Sequence, residues 1–181
     1  MPNLGHVVLV TGPMGSGKST LAHYLAQRLA WESLSEDSYW IQNGWGSGLR
    51  TPEHEAVVQR QVLGDLLTVC RSGRSVVLEF ILYSAPPNPL SAYETALAAH
   101  GVAVEVVVLK PSVSETLIRI VGRGRPQDLQ HLSERRRDIE HQVRILESDA
   151  MRSRRMINTT GLSVDELTQT CLESLNRGAD T

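Results

Sequence analysis

The residues Gly12-Pro13-Met14-Gly15-Ser16-Gly17-Lys18-Ser19 match the pattern G-x-x-x-x-G-K-[ST]. In that pattern glycines let the backbone wrap a phosphate, and free N–H groups and a helix dipole face the anion. Lys18 would reach the β- and γ-phosphates, and the Ser19 hydroxyl would bind Mg²⁺, with Thr20 next on the same turn. The chain has two lysines, Lys18 and Lys110, against sixteen arginines. A lysine here fits a site needing a compact ammonium rather than a planar fork. This spacing reads as nucleotide binding.

Two acids could complete a phosphoryl-transfer site. Glu79 interrupts the apolar run Val76-Val77-Leu78-Glu79-Phe80-Ile81, and burying it without a partner would be costly. Mg²⁺ would be that partner. Asp37 lies nineteen residues beyond Lys18 and is suited to accept the proton of an acceptor hydroxyl, with Glu36 the neighbouring candidate. Arg119, Arg123 and Arg125 bracket a helix end and a Gly-Pro loop, and could close over phosphates and neutralise charge in transfer. The bland alternative is a solvated basic face paired with Asp128, Glu134 and Asp138. Tyr39, Trp40 and Trp45 fall within seven residues of a chain that is 4% aromatic. They are assigned to the wall of an acceptor pocket, with packing in the core as the alternative.

These residues need elements to hold them. His6–Thr11 reads as a buried parallel strand, and Leu21, Leu25 and Leu29 as one face of the helix after the loop. A short second strand spans 31–35, followed by a glycine-bearing loop over 43–50. Thr51-Pro52-Glu53 opens a helix to about Cys70. Strands follow at 75–81 and 102–109, separated by a loop with Pro86, Pro87 and Pro89 and a helix from about Ser91 to His100. Ser112 or Ser114 caps the next helix, which breaks at 122–126. A charged helix over 132–147, a strand over 155–158 and a helix from Ser163 to Asn176, with Ser163 and Glu166 as a capping box, complete the chain. Alternating strands and helices predict a parallel sheet covered on both faces, with ligands at the carboxyl ends of the strands.

A chain of 181 residues suits one domain, with a lid at approximately 122–135 inside it. The net charge of −2 argues against a general nucleic-acid or membrane-surface binder, although ten arginines crowd between Arg119 and Arg155. Arg135-Arg136-Arg137 reads as surface, and of the histidines only His131, within the lid, could titrate at a site. Cys70 and Cys171 are too few for a disulfide framework or a zinc site. With no membrane span and no signal peptide, the expected location is the cytoplasm, as monomer or homodimer.

The loop, Asp37, Glu79, the 119–125 arginines and the closing Asn158-Thr159-Thr160-Gly161-Leu162-Ser163 together resemble the small P-loop kinases. Gluconate kinase, shikimate kinase and chloramphenicol phosphotransferase are the nearest in pattern. The resemblance implies an α/β P-loop NTPase fold with sheet order 2-3-1-4-5 and a small lid. It implies ATP and Mg²⁺, Asp37 as base, Arg123 or Arg125 as the lid arginine, and Thr160-Gly161 beside the adenine. Asn158 stands where the family has an acid, and Glu36-Asp37 where shikimate kinase has Asp-x-Asp. No Asn-Lys-x-Asp guanine motif occurs, which favours ATP. The implied activity is transfer of the γ-phosphate to a hydroxyl of a sugar acid, antibiotic or nucleoside. A nucleoside monophosphate kinase and a regulatory ATPase without a small acceptor are the alternatives.

Overall fold

The computed structural model describes residues 4–46, 50–84 and 87–178. Five parallel strands, β1 (His6–Thr11), β2 (Glu32–Ser35), β3 (Val76–Phe80), β4 (Ala103–Leu109) and β5 (Met156–Ile157), form one sheet in the order β2-β3-β1-β4-β5. The alternation of β1 explains the layers. Val7 and Leu9 point into one core with Val58, Val62 and Leu66 of helix α3 (Pro52–Arg71) and with helix α4 (Leu90–Ala99). Val8 and Val10 point into the other, against Leu21 and Leu25 of helix α1 (Lys18–Leu29) and Leu167 and Cys171 of helix α8 (Val164–Gly178). Each fully buried aliphatic contributes about 1.5–3 kcal/mol. Leu25, at 0% exposure, is a position where truncation to Ala would cost about 2–5 kcal/mol.

The caps are those expected from sequence where hydroxyl and acid are well spaced. The Thr51 hydroxyl accepts from His54 N–H at 3.3 Å, and the Ser112 hydroxyl from Glu115 N–H at 3.1 Å at the start of helix α5 (Val113–Arg123). Ser163 and Glu166 form the reciprocal capping box. Two short helices depart from the sequence reading. Residues Glu36–Gln42, where the sequence suggests no helix, form helix α2, and Pro126–Gln130, expected within the lid after a break, form helix α6 ahead of α7 (Leu132–Leu146). Both lack the apolar periodicity that announces a helix, and their turns are held by tertiary contacts instead. Tyr39 Oη donates to Asp65 on α3 at 2.7 Å, and Arg135 on α7 pairs with Asp128 on α6 at 3.1 Å. Within the expected loop over 43–50, residues 47–49 lie outside the described residues, as does Pro86. Among the described residues no helix is long and apolar enough to cross a membrane.

Candidate active site

The carboxyl ends of β1, β2 and β3 converge on Lys18. Parallel register sets Glu79 beside Val10 on one strand and Ser35 on the other, so β3 carries its acid to the mouth of the loop that follows β1. That loop runs from Gly12 to Gly17, where α1 begins. Gly15 and Gly17 hold φ of 76° and 95°, a region that disfavours side chains. Gly12 is needed for another reason: a Cβ there would lie 2.7 Å from the Leu109 carbonyl oxygen of β4. The turn is closed by Ser16 N–H donating to the Pro13 carbonyl at 3.0 Å.

Lys18 is buried, and desolvation is the main influence lowering its pKa from the ordinary lysine value. The charges of Glu79 and then Asp37 oppose that shift, while Arg123 and Arg50 reinforce it. Those four charged groups therefore lie close enough to act on the Lys18 ammonium. Glu79 is buried and accepts from the Ser35 hydroxyl through one oxygen, while its Oε2 finds no hydrogen-bond partner among the described residues. Ser16 Oγ is likewise buried and unpartnered among them. Orphaned buried polar atoms beside a buried ammonium fit a site completed by a phosphate and a hydrated cation. Among the described residues no cluster of three or more His, Cys, Asp or Glu could hold a metal alone. A Mg²⁺ ion held by one or two protein groups and substrate phosphates needs no such cluster. Ser19 stands exposed at the start of α1, as that arrangement would require.

The loop divides two cavities. One, of about 510 Å³, is lined by Gly15, Gly17, Thr20, Arg119, Arg123 and Gly161. Arg119 fixes its floor, donating to the Ser16 carbonyl at 3.2 Å and the Thr159 carbonyl at 2.7 Å while paired with Glu115 at 3.0 Å. The other, of about 520 Å³, lies between Met14, Arg50, Tyr83 and the Arg135, His141 and Gln142 side of α7. Gln142 Oε1 accepts from Met14 N–H at 2.7 Å, tying that wall to the phosphate loop.

Several sequence assignments are placed differently. Tyr39 and Trp40, expected to line an acceptor pocket, are packed into the core at 7% and 0% exposure. Trp40 is instead a platform: the Arg50 guanidinium lies 4.4 Å from its ring centroid, and Arg50 Nη2 lies 3.3 Å from Asp37 Oδ1. Trp45 stacks on His54 at 3.9 Å between ring centroids. Arg123 and Arg125 are both exposed, but Arg123 lines the first cavity and Arg125, at the start of α6, does not. The acids weighed as partners of those two arginines pair elsewhere, Asp128 and Asp138 with Arg135 and Glu134 with His131. Thr160 Oγ1 accepts from Ser112 N–H at 3.0 Å, away from the first cavity, and only Gly161 of that pair lines it. Sequence reasoning misses Arg50, Arg135 and Gln142. Arg50 sits among glycines with no motif around it, and Arg135 is hidden in a basic triplet.

A family model described as an AAA domain matches residues 7–142. A gluconokinase from Sinorhizobium meliloti 1021 superposes with a TM-score of 0.68 at 18% identity, over 99% of this chain and 96% of that one. A shikimate kinase from Acinetobacter baumannii in complex with shikimate gives 0.64 at 21% identity, over 97% and 96%. A candidate adenylate kinase of Sulfurisphaera tokodaii is 28% identical over 118 residues, 65% of this chain and 56% of its own length. A tRNA dimethylallyltransferase of Chlorobium phaeobacteroides is 45% identical over 53 residues alone, 29% of this chain and 16% of its own length. The chain thus spans about half or less of the length of these two curated relatives.

Proposed function

The chain belongs to the AAA domain family, and on that premise we propose that it transfers the γ-phosphoryl group of ATP to a hydroxyl of a small polar molecule. The observation carrying this reading is the division of the site. A buried lysine stands at a phosphate loop that separates one cavity from a second, with acids and arginines within Coulombic reach of it. A regulatory ATPase would need no second cavity. The kinase activities named for structures of the same fold, a gluconokinase and a shikimate kinase, agree with the reading.

The nucleotide would occupy the cavity of Thr20, Arg119 and Gly161, with its phosphates on the 12–19 loop and Lys18. Ser19 and Glu79 would hold Mg²⁺, which when bound would neutralise phosphate charge. The acceptor would occupy the cavity of Arg50, Tyr83 and Arg135. Asp37 stands at its edge through Arg50 and takes the proton as the acceptor oxygen bonds to the γ-phosphorus. The bond to the bridging oxygen breaks, and ADP leaves. Lys18 and Arg123 stabilise the charge that gathers on the transferring group. With two guanidinium groups against Glu55 and Asp138, the acceptor cavity suits a polar, hydroxyl-rich ligand.

A nucleoside monophosphate kinase is the second reading, favoured by the adenylate-kinase relative and by Arg50 and Arg135 as partners for an acceptor phosphate. Measuring ADP formation with sugar acids, nucleosides, hydroxylated antibiotics and nucleoside monophosphates separates the two. A rise with hydroxyl acceptors supports transfer to an alcohol. A rise with monophosphates alone supports the second reading, and no acceptor-dependent rise with any class contradicts both.

A further inference from the structure

Directly before Asp37 lies a carboxyl group that the proposed reaction leaves unused. Glu36 opens α2 at 2% exposure, and both of its oxygens are engaged, one by the Tyr83 hydroxyl beyond β3 and one by the Tyr93 hydroxyl on α4. Tyr83 is the junction of the network. Its hydroxyl also accepts from Trp40 Nε1 at 3.0 Å, and its ring meets that of Trp40 edge-on at 6.0 Å. Arg50 caps the pair, its guanidinium 4.4 Å from the Trp40 centroid and 5.6 Å from that of Tyr83, and reaches from there to Asp37. A buried acid is thus linked through two aromatic side chains to the cation that holds Asp37.

We propose that Glu36 is a positioning residue: in its charged form, acting through Tyr83 and Trp40, it fixes Arg50, and through Arg50 it fixes Asp37. Two hydroxyl donors aimed at one buried carboxylate favour its ionised state, and Arg50 above supplies the compensating charge. Protonation would remove half of that balance and release a hydrogen bond that orients Tyr83. The groups facing Glu36 are Asp37 on its own helix, Arg50 ahead of α3, Tyr83 beyond β3 and Tyr93 on α4. His141 on α7 touches the network only at the Tyr83 carbonyl, at 3.4 Å. Burial outweighs the hydroxyls and Arg50, and lifts the Glu36 pKa to about 7, so the switch lies in an accessible pH range.

The consequence for catalysis rests on the transferase reading, but the coupling can be measured without an acceptor. Replacing Trp31 and Trp45 by Phe leaves Trp40 as the only tryptophan, with an aromatic ring kept against His54. Its emission, followed against pH in the full chain, should show one step centred near neutrality. The step should vanish in Glu36→Gln and move up by about one pH unit in Arg50→Leu, which withdraws the opposing charge. If Glu36→Gln fails to fold by circular dichroism, Tyr93→Phe serves in its place by removing one donor, with an upward shift expected. A step that survives in Glu36→Gln, or a midpoint unmoved by Arg50→Leu or Tyr93→Phe, overturns the proposal. Binding of a non-hydrolysable ATP analogue by the unsubstituted chain is the separate arm. Its failure would count against the transferase reading and leave the titration to decide the positioning role.

Discussion

Arg50 Nη2 lies 3.3 Å from Asp37 Oδ1, with the Arg50 guanidinium resting on the face of Trp40. The acid proposed as base is therefore held by a cation that also lines the cavity proposed for the acceptor. Arg50→Lys keeps the charge but loses the planar fork and the stacking surface. The expected result is an acceptor KM raised about tenfold, a loss of about 1.4 kcal/mol in binding, with ATP affinity unchanged. Equal loss of ATP affinity would move Arg50 to the nucleotide side.

Lys18 is buried at the phosphate loop, with Glu79 and Asp37 as the acids that act on its charge. Lys18→Ala should lower acceptor-dependent turnover by about 10²–10³-fold, the usual effect of losing one preorganised charge, while the far-ultraviolet spectrum stays unchanged. Normal turnover in a folded Lys18→Ala protein would contradict the phosphate-loop reading.

Glu79 Oε2 is buried without a partner among the described residues, whereas its other oxygen takes the Ser35 hydroxyl. Glu79→Gln should raise the Mg²⁺ concentration needed for half-maximal rate, and chelation should stop transfer in the unsubstituted chain. A titration of rate against Mg²⁺ that superposes for both proteins would leave Glu79 with a structural role alone.

How much of this is legible in the sequence depends on the range of the contacts involved. The strands and long helices announce themselves through apolar runs and period, and the phosphate loop through a spacing in which each residue type has its own chemistry. Helices α2 and α6 do not, because Glu36–Gln42 and Pro126–Gln130 lack a periodic apolar face and depend on Asp65 and Arg135 brought in from elsewhere. The same limit hides Arg50, which gains its significance only when α2 and the end of β3 bring Trp40 and Tyr83 beneath it. Aromatic density alone points Trp40 to a pocket wall, because it cannot tell a wall from the platform behind it.

Stability should report Glu36 independently of activity. Folding raises its pKa from the usual glutamate value of 4.5 to about 7, chiefly through burial. Between those values the folded chain binds the proton that the unfolded chain has lost, so stability falls as pH rises across the window. The contribution is complete below about pH 4.5 and gone above about pH 7. Chemical denaturation of Glu36→Gln and the unsubstituted chain at pH 5 and pH 8 should show the difference shifting in favour of Gln at pH 8, by something on the order of 2 kcal/mol. A pH-independent difference would mean that the carboxyl is not displaced from its ordinary value.

Arg123 lines the cavity proposed for the nucleotide and influences Lys18, whereas Arg125, equally exposed, lies outside that cavity at the start of α6. Arg123→Ala should thus cost turnover about tenfold more than Arg125→Ala, as expected when only one of the two charges meets the transferring phosphate. Hydrogen exchange should show residues 122–131 gaining protection when an ATP analogue binds. Equal exchange with and without nucleotide, together with equal rates for the two variants, would leave both arginines as surface charge.

The claim that a small-molecule hydroxyl receives the phosphate is tested most directly in Asp37→Asn, which preserves shape but cannot accept a proton. ATP affinity and acceptor-dependent ADP formation should be measured on one sample, with an acceptor found by the screen. With Asp37 as the base, ATP affinity stays near its unsubstituted value and the rate falls by about 10²–10⁴-fold. An intact rate would contradict the base assignment and favour an acceptor phosphate that needs no base, and lost ATP affinity would place Asp37 at the metal.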